Sequence, residues 1–168
     1  MFPELQHYWH RIDDLRRQVG RLVADLPAEA LNWRPLPQVD DHAMNSLAAM
    51  AAHIAGAEHF WIAEVVGGYP PTRDRAAEFG LVVDGPAPLL ARLEAVEKET
   101  AAVFERLTPS DLEGTRIAHD KPLPVRWSIL HTIDHSALHL GHMQITYQLW
   151  MGGRSMPSPR WFERLPKA

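Results

Sequence analysis

The sequence predicts an all-α protein whose architecture is a four-helix bundle with long crossover connections. Four segments place apolar residues at steps of three and four, the spacing that puts them on one face of an α-helix. The loops between these segments run to about a dozen residues or more, whereas connections of about two to eight residues are usual in bundles. Loops of this length can run from one end of a bundle to the other, so simple up-down order is not required.

The length of the chain, 168 residues, suits one domain with a tail. We assign residues 1–151 to the bundle. We assign residues 152–168 to a C-terminal tail that packs on the bundle or on a partner subunit, because the tail carries Met156, Trp161 and Phe162. The chain has no cysteine, which excludes disulfides, thiolate metal sites and a cysteine nucleophile.

The charge and hydropathy of the chain exclude two classes of partner. A net charge of -4 is spread without a basic run, so we expect no nucleic acid bound through a phosphate-neutralising patch. No apolar run reaches the ~20 residues that cross a bilayer, so we expect no membrane span. The first residues lack a basic region followed by an apolar run, so we expect no signal peptide. A cytoplasmic protein is therefore predicted, which fits the absence of cysteine.

The first helix is predicted to open at Pro3, where the missing amide hydrogen costs nothing, and to close before Pro27. Its core-facing residues recur at helical spacing: Leu5, Trp9, Ile12, Leu15, Val19, Leu22 and Leu26. The third helix is predicted over about residues 88–107, with apolar positions on one face and charges on the other. Prolines with glycine or polar neighbours predict loops over residues 27–42, 67–87 and 115–126.

The second helix is predicted from about Met44 to Val66, with Asp40 or Asp41 as its N-cap. It is apolar nearly all round, so we expect it to be buried on most sides. His53 stands in its middle, and small residues at both adjacent turns leave room for a facing helix to come close. Taken alone, a histidine in this setting is more often a satisfied core residue than a ligand.

The fourth helix is predicted from Trp127 to Met151, a stretch without proline that a double glycine ends. Four histidines of this helix fall within an arc of about 80°, namely His131, His135, His139 and His142. Apolar side chains project into or beside the same arc, namely Trp127, Leu138, Ile145 and Leu149. We therefore expect the histidines on the buried stripe of the helix.

Four buried histidines in one stripe favour a metal site. A buried imidazole must be neutral and needs hydrogen-bond partners or a metal, and the backbone groups of a helix are already paired. Two imidazoles one turn apart can hold one divalent ion from a single helix. His53 is then the natural third ligand, and Glu58 and Glu64 either orient a ligand or serve as solvated or capping carboxylates. The alternative is a polar seam of core histidines bonded to one another and to water.

The fourth helix contains HTIDHSALHLGH, and the second contains NSLAAMAAHIAGAEHFW. This pattern resembles the DinB-like superfamily, and the resemblance runs from the first helix through Leu149. It implies a four-helix bundle with a long crossover, often dimeric, in which His53, His135 and His139 hold one zinc or nickel ion and water completes the shell. It also implies transferases or isomerases that use bacterial low-molecular-weight thiols as cosubstrates.

His142 is predicted to lie beside the metal and to be the candidate catalytic residue. Many superfamily members read Gly-Gln after the last ligand, whereas this chain reads Gly141-His142, as in the branch that resembles mycothiol-dependent enzymes. His135 and His142 are ~10.5 Å apart along the helix axis, too far for easy convergence. A pair of His139 and His142 could converge but would exclude His135. His142 is therefore expected near the open position of the metal, where it could hydrogen-bond a bound water or a substrate.

The predicted site has the composition of a catalytic metal centre. Three imidazoles and a water leave an open position, and an ion there lowers the pKa of a bound water or thiol. Because the chain has no cysteine, we expect a metal-dependent transferase that takes its thiol from a cosubstrate and acts on a small electrophile. A metal-dependent hydrolase and a non-catalytic, metal-bearing binding protein for small molecules are the alternatives. The apolar second helix, the aromatic tail and the family habit predict a homodimer.

Overall fold

The computed structural model describes residues 1–36 and 44–154, and four long helices of this part form the predicted bundle. The helices are α1 (Pro3–Val23), α2 (Ala28–Asn32), α3 (Leu47–Glu58), α4 (Arg75–Phe79), α5 (Ala87–Arg106), α6 (Pro109–Leu112) and α7 (Val125–Trp150). A π-helical segment, His59–Val66, continues α3. Both α1 and α3 pack mainly against α5 and α7, so α1 and α3 occupy opposite corners. Leu47 and Leu89 lie in one apolar cluster and Val66 and Val103 in another, so α3 with its π-helical continuation runs parallel to α5. Residues 67–86 therefore run the length of the bundle, in agreement with the predicted crossover.

The ends of the long helices differ slightly from those predicted. The first helix ends at Val23, before the predicted Pro27 boundary. The second begins at Leu47, where the Ser46 hydroxyl accepts a hydrogen bond from the Ala49 amide at 3.2 Å and so caps the helix. The earlier cap candidates, Asp40 and Asp41, lie outside the described residues, as do Met156, Trp161 and Phe162 of the tail.

Each of the three predicted loops contains secondary structure, and the prediction was wrong in those parts. The first contains α2, the second contains α4, and the third contains an antiparallel hairpin of β1 (Thr115–Ala118) and β2 (Lys121–Pro124). The hairpin turn has two residues with positive φ, His119 at 50° and Asp120 at 61°, as a two-residue turn between twisted strands requires. Two prolines hid β2 in the sequence, because proline is confined to the edges of sheets.

The core consists of two apolar clusters with a buried polar layer between them. One cluster includes Leu15, Val19, Leu47, Ile54, Leu93, Val96, Leu140 and Met143. The other includes Leu5, Ile12, Ile62, Val66, Val103, Phe104, Val125 and Ile129. In the polar layer, Glu58 accepts hydrogen bonds from Arg16 and from the Thr100 hydroxyl, both at 2.7 Å. All three side chains are buried, so this ion pair ties α1, α3 and α5 together.

The orientation of α7 differs from the prediction. Trp127, Leu138, Ile145 and Leu149 are between 43% and 59% exposed, so they do not form the buried stripe. The buried face is made mostly of small and β-branched residues. Its members are Val125, Ser128, Ile129, Thr132, Ser136, Leu140, Met143 and Thr146. Every residue of α3 is buried, as predicted, and α3 is rich in alanine. Small side chains on both helices let them pack closely, which the apolar pattern of α7 alone does not indicate. In residues 1–36 and 44–154, no helix combines the length and apolarity that crossing a membrane requires.

Candidate metal centre

Three histidines from two helices converge between α3 and α7. One ring nitrogen from each of His53, His135 and His139 lies within 4.8 Å of those of the other two. The Nε2 atoms of His53 and His135 are 3.1 Å apart. Among the residues that the structure describes, this histidine triad is the one group of three or more such side chains close enough to share a metal ion. The structure thus brings together the three histidines selected from the sequence.

The local packing explains this convergence. His135 and His139 lie one turn apart on α7, so their imidazoles project from the same side of the helix. His53 lies on α3 and is 5% exposed, with its ring 4.8 Å from that of His135 and 4.9 Å from that of His139, measured between centroids. The alanines of α3 allow α7 to approach closely enough for the three rings to meet.

Glu78 of α4 orients His53. Its Oε2 accepts a hydrogen bond from His53 Nδ1 at 2.8 Å, and Arg73 donates to both carboxylate oxygens at 2.7 and 2.9 Å. Burial raises the pKa of Glu78, but the hydrogen bonds from Arg73 and His53 outweigh burial and lower this pKa to about 2. An ionised carboxylate only accepts hydrogen bonds, so Nδ1 of His53 carries the proton that it donates to Glu78. Its Nε2 faces His135, the arrangement that carboxylate–histidine pairs give to metal ligands.

Gly56 provides the space that the Glu78 carboxylate occupies. A Cβ atom at this position would lie 2.6 Å from the carboxylate carbon of Glu78 and still closer to its Oε1. Carbon atoms in contact are ~3.5–4.0 Å apart, so any larger residue would displace the carboxylate. The glycine thus lets Glu78 approach α3 and reach His53, which lies about one turn before Gly56 on the same helix.

The two histidines of α7 are held in the neutral form that binds metal. Burial, assisted by the neighbouring histidines His139, His53 and His131, lowers the pKa of His135 to about 3. Burial, followed by the effect of His53 and His142, lowers the pKa of His139 to about 4. Both imidazoles are therefore neutral near pH 7, and a metal ion would not have to displace a proton from them.

The hydrogen bonding of His135 indicates that a cation suits the centre. Its Nδ1 is the one buried side-chain nitrogen or oxygen without a hydrogen-bond partner in the described part of the chain. Its Nε2 faces the Nε2 of His53, which already offers a lone pair. The protein thus leaves His135 poorly satisfied, whereas a shared cation would accept lone pairs from both Nε2 atoms. Three imidazoles are a suitable donor set for zinc or nickel.

The remaining histidines of α7 lie beside the triad. The ring of His142 is 5.4 Å from that of His139, and its side chain is exposed. A cavity of about 400 Å³ opens beside both residues. His131 stacks on Trp127, with ring centroids 4.8 Å apart and an interplanar angle of 4°. The predicted place of His142 beside the open position of a metal and its catalytic role both stay predictions.

Glu58 and Glu64 have structural roles. Glu58 forms the buried ion pair with Arg16, and Glu64 accepts hydrogen bonds from the amides of Thr72 and Arg73 at 2.5 and 2.9 Å. The carboxylate that orients a triad histidine, Glu78, was missed, because it lies in a segment predicted to be a loop. Its helix α4 has five residues, too few for an apolar period to show.

A four-helix bundle in which three imidazoles converge defines a helical protein whose histidine triad could hold a metal ion. A sequence profile of the DinB superfamily matches residues 11–143, most of the chain. The chain belongs to the DinB superfamily, a family of metal-binding proteins. The resemblance predicted from the sequence is thereby confirmed.

Two solved structures share the fold. A conserved protein from Enterococcus faecalis superposes with a TM-score of 0.72 at 16% identity, covering 90% of this chain and 99% of that protein. A DinB-like protein from Bacillus cereus ATCC 10987 superposes with a TM-score of 0.66, also at 16% identity, covering 92% of this chain and 95% of that protein. At this identity the likeness shows the fold alone. No curated protein matches the sequence.

Proposed function

We propose that the protein is a metal-dependent transferase that joins a low-molecular-weight thiol to a small electrophile. The observation that carries the proposal is the convergence of three imidazoles within 4.8 Å beside a cavity of about 400 Å³. Three protein ligands leave a coordination position for a reactant, which distinguishes catalytic from structural sites. The cavity provides space for that reactant next to His139 and His142.

In this proposal, His53, His135 and His139 hold one divalent ion, zinc or nickel. When bound, the ion lowers the pKa of a thiol so that thiolate forms at neutral pH. Glu78 keeps His53 in the tautomer that presents Nε2. His142, beside His139, accepts the thiol proton or donates a hydrogen bond to the electrophile.

The thiol is proposed to be a cosubstrate because the chain contains no cysteine. A sulfur nucleophile must therefore enter from solution. Such thiols are kept reduced in the cytoplasm, where we propose that the protein acts.

The test measures thiol consumption by the purified protein loaded with zinc or nickel, in the presence of an electrophile. We expect consumption that depends on metal and on electrophile, and the loss of both metal and activity in His135→Ala and His139→Ala. Full metal content in both variants, measured by elemental analysis, would refute the ligand assignment. Ester or amide cleavage that needs metal but no thiol would instead identify a hydrolase. No activity in either assay, together with tight binding of a small molecule, would identify a non-catalytic binding protein.

We also propose that the protein is a homodimer. The argument from the second helix is wrong, because α3 is buried within its own bundle. Support comes instead from the exposed apolar side chains of α7, among them Trp127 and Leu149. Light scattering should give twice the 19.0 kDa monomer mass, and Leu149→Asp should lower it toward the monomer. A parent protein that is monomeric at micromolar concentration would refute this proposal.

A further inference from the structure

The cavity beside the triad lies between the start of α3 and the second half of α7. Its volume is about 400 Å³, within the range of ~300–1,000 Å³ that small-molecule sites occupy. Its lining residues are Met44, Asn45, Met50, His139, His142, Ile145 and Thr146. It therefore joins the metal centre at one end, through His139, and an apolar wall at the other.

The apolar wall of the cavity selects against charged ligand groups that lie against it. Two methionines and an isoleucine form the apolar wall, and none of the lining residues that the structure describes is a lysine, arginine, aspartate or glutamate. An ionised ligand group against this wall, away from the metal centre, would lose water without gaining a counter-ion from the described residues, which is costly. A cavity lined by apolar side chains, in contrast, binds small neutral hydrocarbons such as benzene readily. The polar groups that remain belong to Asn45, Thr146 and the two histidines.

We infer that this cavity binds the electrophile and that the part of the electrophile away from the metal centre is small, uncharged and apolar. Its identification as the electrophile rests on the proposed transferase function. The apolar body lies against Met44, Met50 and Ile145, and the reactive carbon faces His139 and His142. In the transfer, the sulfur of the thiol forms a bond to this carbon. The leaving group departs with the electron pair of its former bond, and the thiol proton passes to His142 and then to water.

The first experiment compares two probes of similar size, the uncharged iodobenzene and the anionic 4-iodobenzoate. Both are titrated onto the full chain after removal of metal, so that the carboxylate of 4-iodobenzoate has no ion to bind. The readout is the methyl resonances of Met44 and Met50 in protein labelled at methionine. We expect iodobenzene to bind at least ten times more tightly than 4-iodobenzoate. Equal binding of the two probes would overturn the inferred ligand class.

The second experiment fills the cavity from its exposed edge. Ile145 is 57% exposed and Leu138, two turns earlier on the same face of α7 and outside the lining, is 59% exposed. Ile145→Trp should weaken iodobenzene binding at least tenfold, whereas the matched control Leu138→Trp should leave it within twofold. Equal effects of the two substitutions would overturn the assigned place of binding, provided that both variants melt as the parent does.

A third measurement keeps the inference testable if Ile145→Trp does not fold. Crystals of the parent protein soaked in iodobenzene should show the anomalous signal of iodine between Met50 and His142. Iodine at other positions alone would refute the site. Because all three experiments omit thiol and metal, their failure is distinguishable from failure of the transferase assay. If iodobenzene binds in this cavity but no thiol is consumed in the transferase assay, the proposed transferase function is wrong. If thiol is consumed but iodobenzene does not bind in this cavity, the cavity is not the binding site of the electrophile.

Discussion

The substitution Gly56→Ala should weaken metal binding although it changes no ligand. The new Cβ would lie 2.6 Å from the carboxylate carbon of Glu78, against a normal contact of ~3.5 Å. The carboxylate must therefore move by about 1 Å, which breaks or lengthens its 2.8 Å hydrogen bond with His53. The helix itself should tolerate the change, because alanine is the better helix former.

The magnitude follows from the role of the displaced carboxylate. Loss of a group that orients a metal-bound histidine costs about 10- to 100-fold in metal affinity, or about 1.4 to 2.8 kcal/mol. Competition with a chromophoric chelator measures the zinc affinity of the parent, Gly56→Ala and Glu78→Gln. If the glycine acts through Glu78, the two substitutions combined should weaken binding no more than the stronger one alone.

Gly20→Ala is the matched control. Gly20 lies inside α1, and a Cβ there would meet the side chains of Leu90 and Leu93 at 3.7 and 3.9 Å, ordinary contact distances. Its metal affinity should equal that of the parent. If folded Gly56→Ala binds zinc within twofold of the parent, the Glu78 carboxylate does not control His53 from this position.

Three further predictions concern proton transfer, stability and pH. His142→Gln should keep a full equivalent of metal and lower the transferase rate by about 100-fold; elemental analysis and kinetics check this, and metal loss like that of His139→Ala would contradict it. Arg16→Met leaves Glu58 buried without its cation and should destabilise the fold by about 3–5 kcal/mol, seen as a lowering of the melting temperature by about 6–20 °C. Arg17→Met, at an exposed position, should change stability by no more than about 0.5 kcal/mol, and equal effects of the two would refute the role of the polar layer. The folded-state pKa values of His135, about 3, and His139, about 4, lie below the ordinary 6.5. The stability of the metal-free protein should thus be complete above pH 6.5 and fall as pH is lowered toward 4 and 3, whereas melting temperatures that do not change between pH 7 and 4 would contradict buried neutral imidazoles.

The helices and the histidine triad could be predicted because both depend on short-range periodicity. The apolar residues of α1 recur at steps of three and four, and the i, i+4 spacing of His135 and His139 determines their relative direction whatever the tertiary structure. His53 could be selected because it is central in a helix too apolar to lie on the surface.

The rest of the site depends on contacts between segments far apart in the sequence. Nothing local distinguishes Glu78 from other acidic residues, because its importance comes from the gap at Gly56 in another helix. The predicted orientation of α7 was wrong for a related reason. Helical spacing gives the angle between Trp127 and Ser128, but only the helices that pack against α7 decide which of them faces the core. The hairpin turn at His119 lacks the glycine that usually marks such turns.

The buried pair of Arg16 and Glu58 fixes how α1 and α3 align along the bundle. Apolar side chains alone would let one helix slide past another with little penalty, since one methylene replaces another. A slide of α3 by one turn would move Glu58 by ~5.4 Å, far beyond its 2.7 Å contact with Arg16, and would strand two charges in the core. Because His53 lies on the same rigid helix, five residues before Glu58, an ion pair that never contacts the metal centre fixes the position of His53 along the bundle relative to α1.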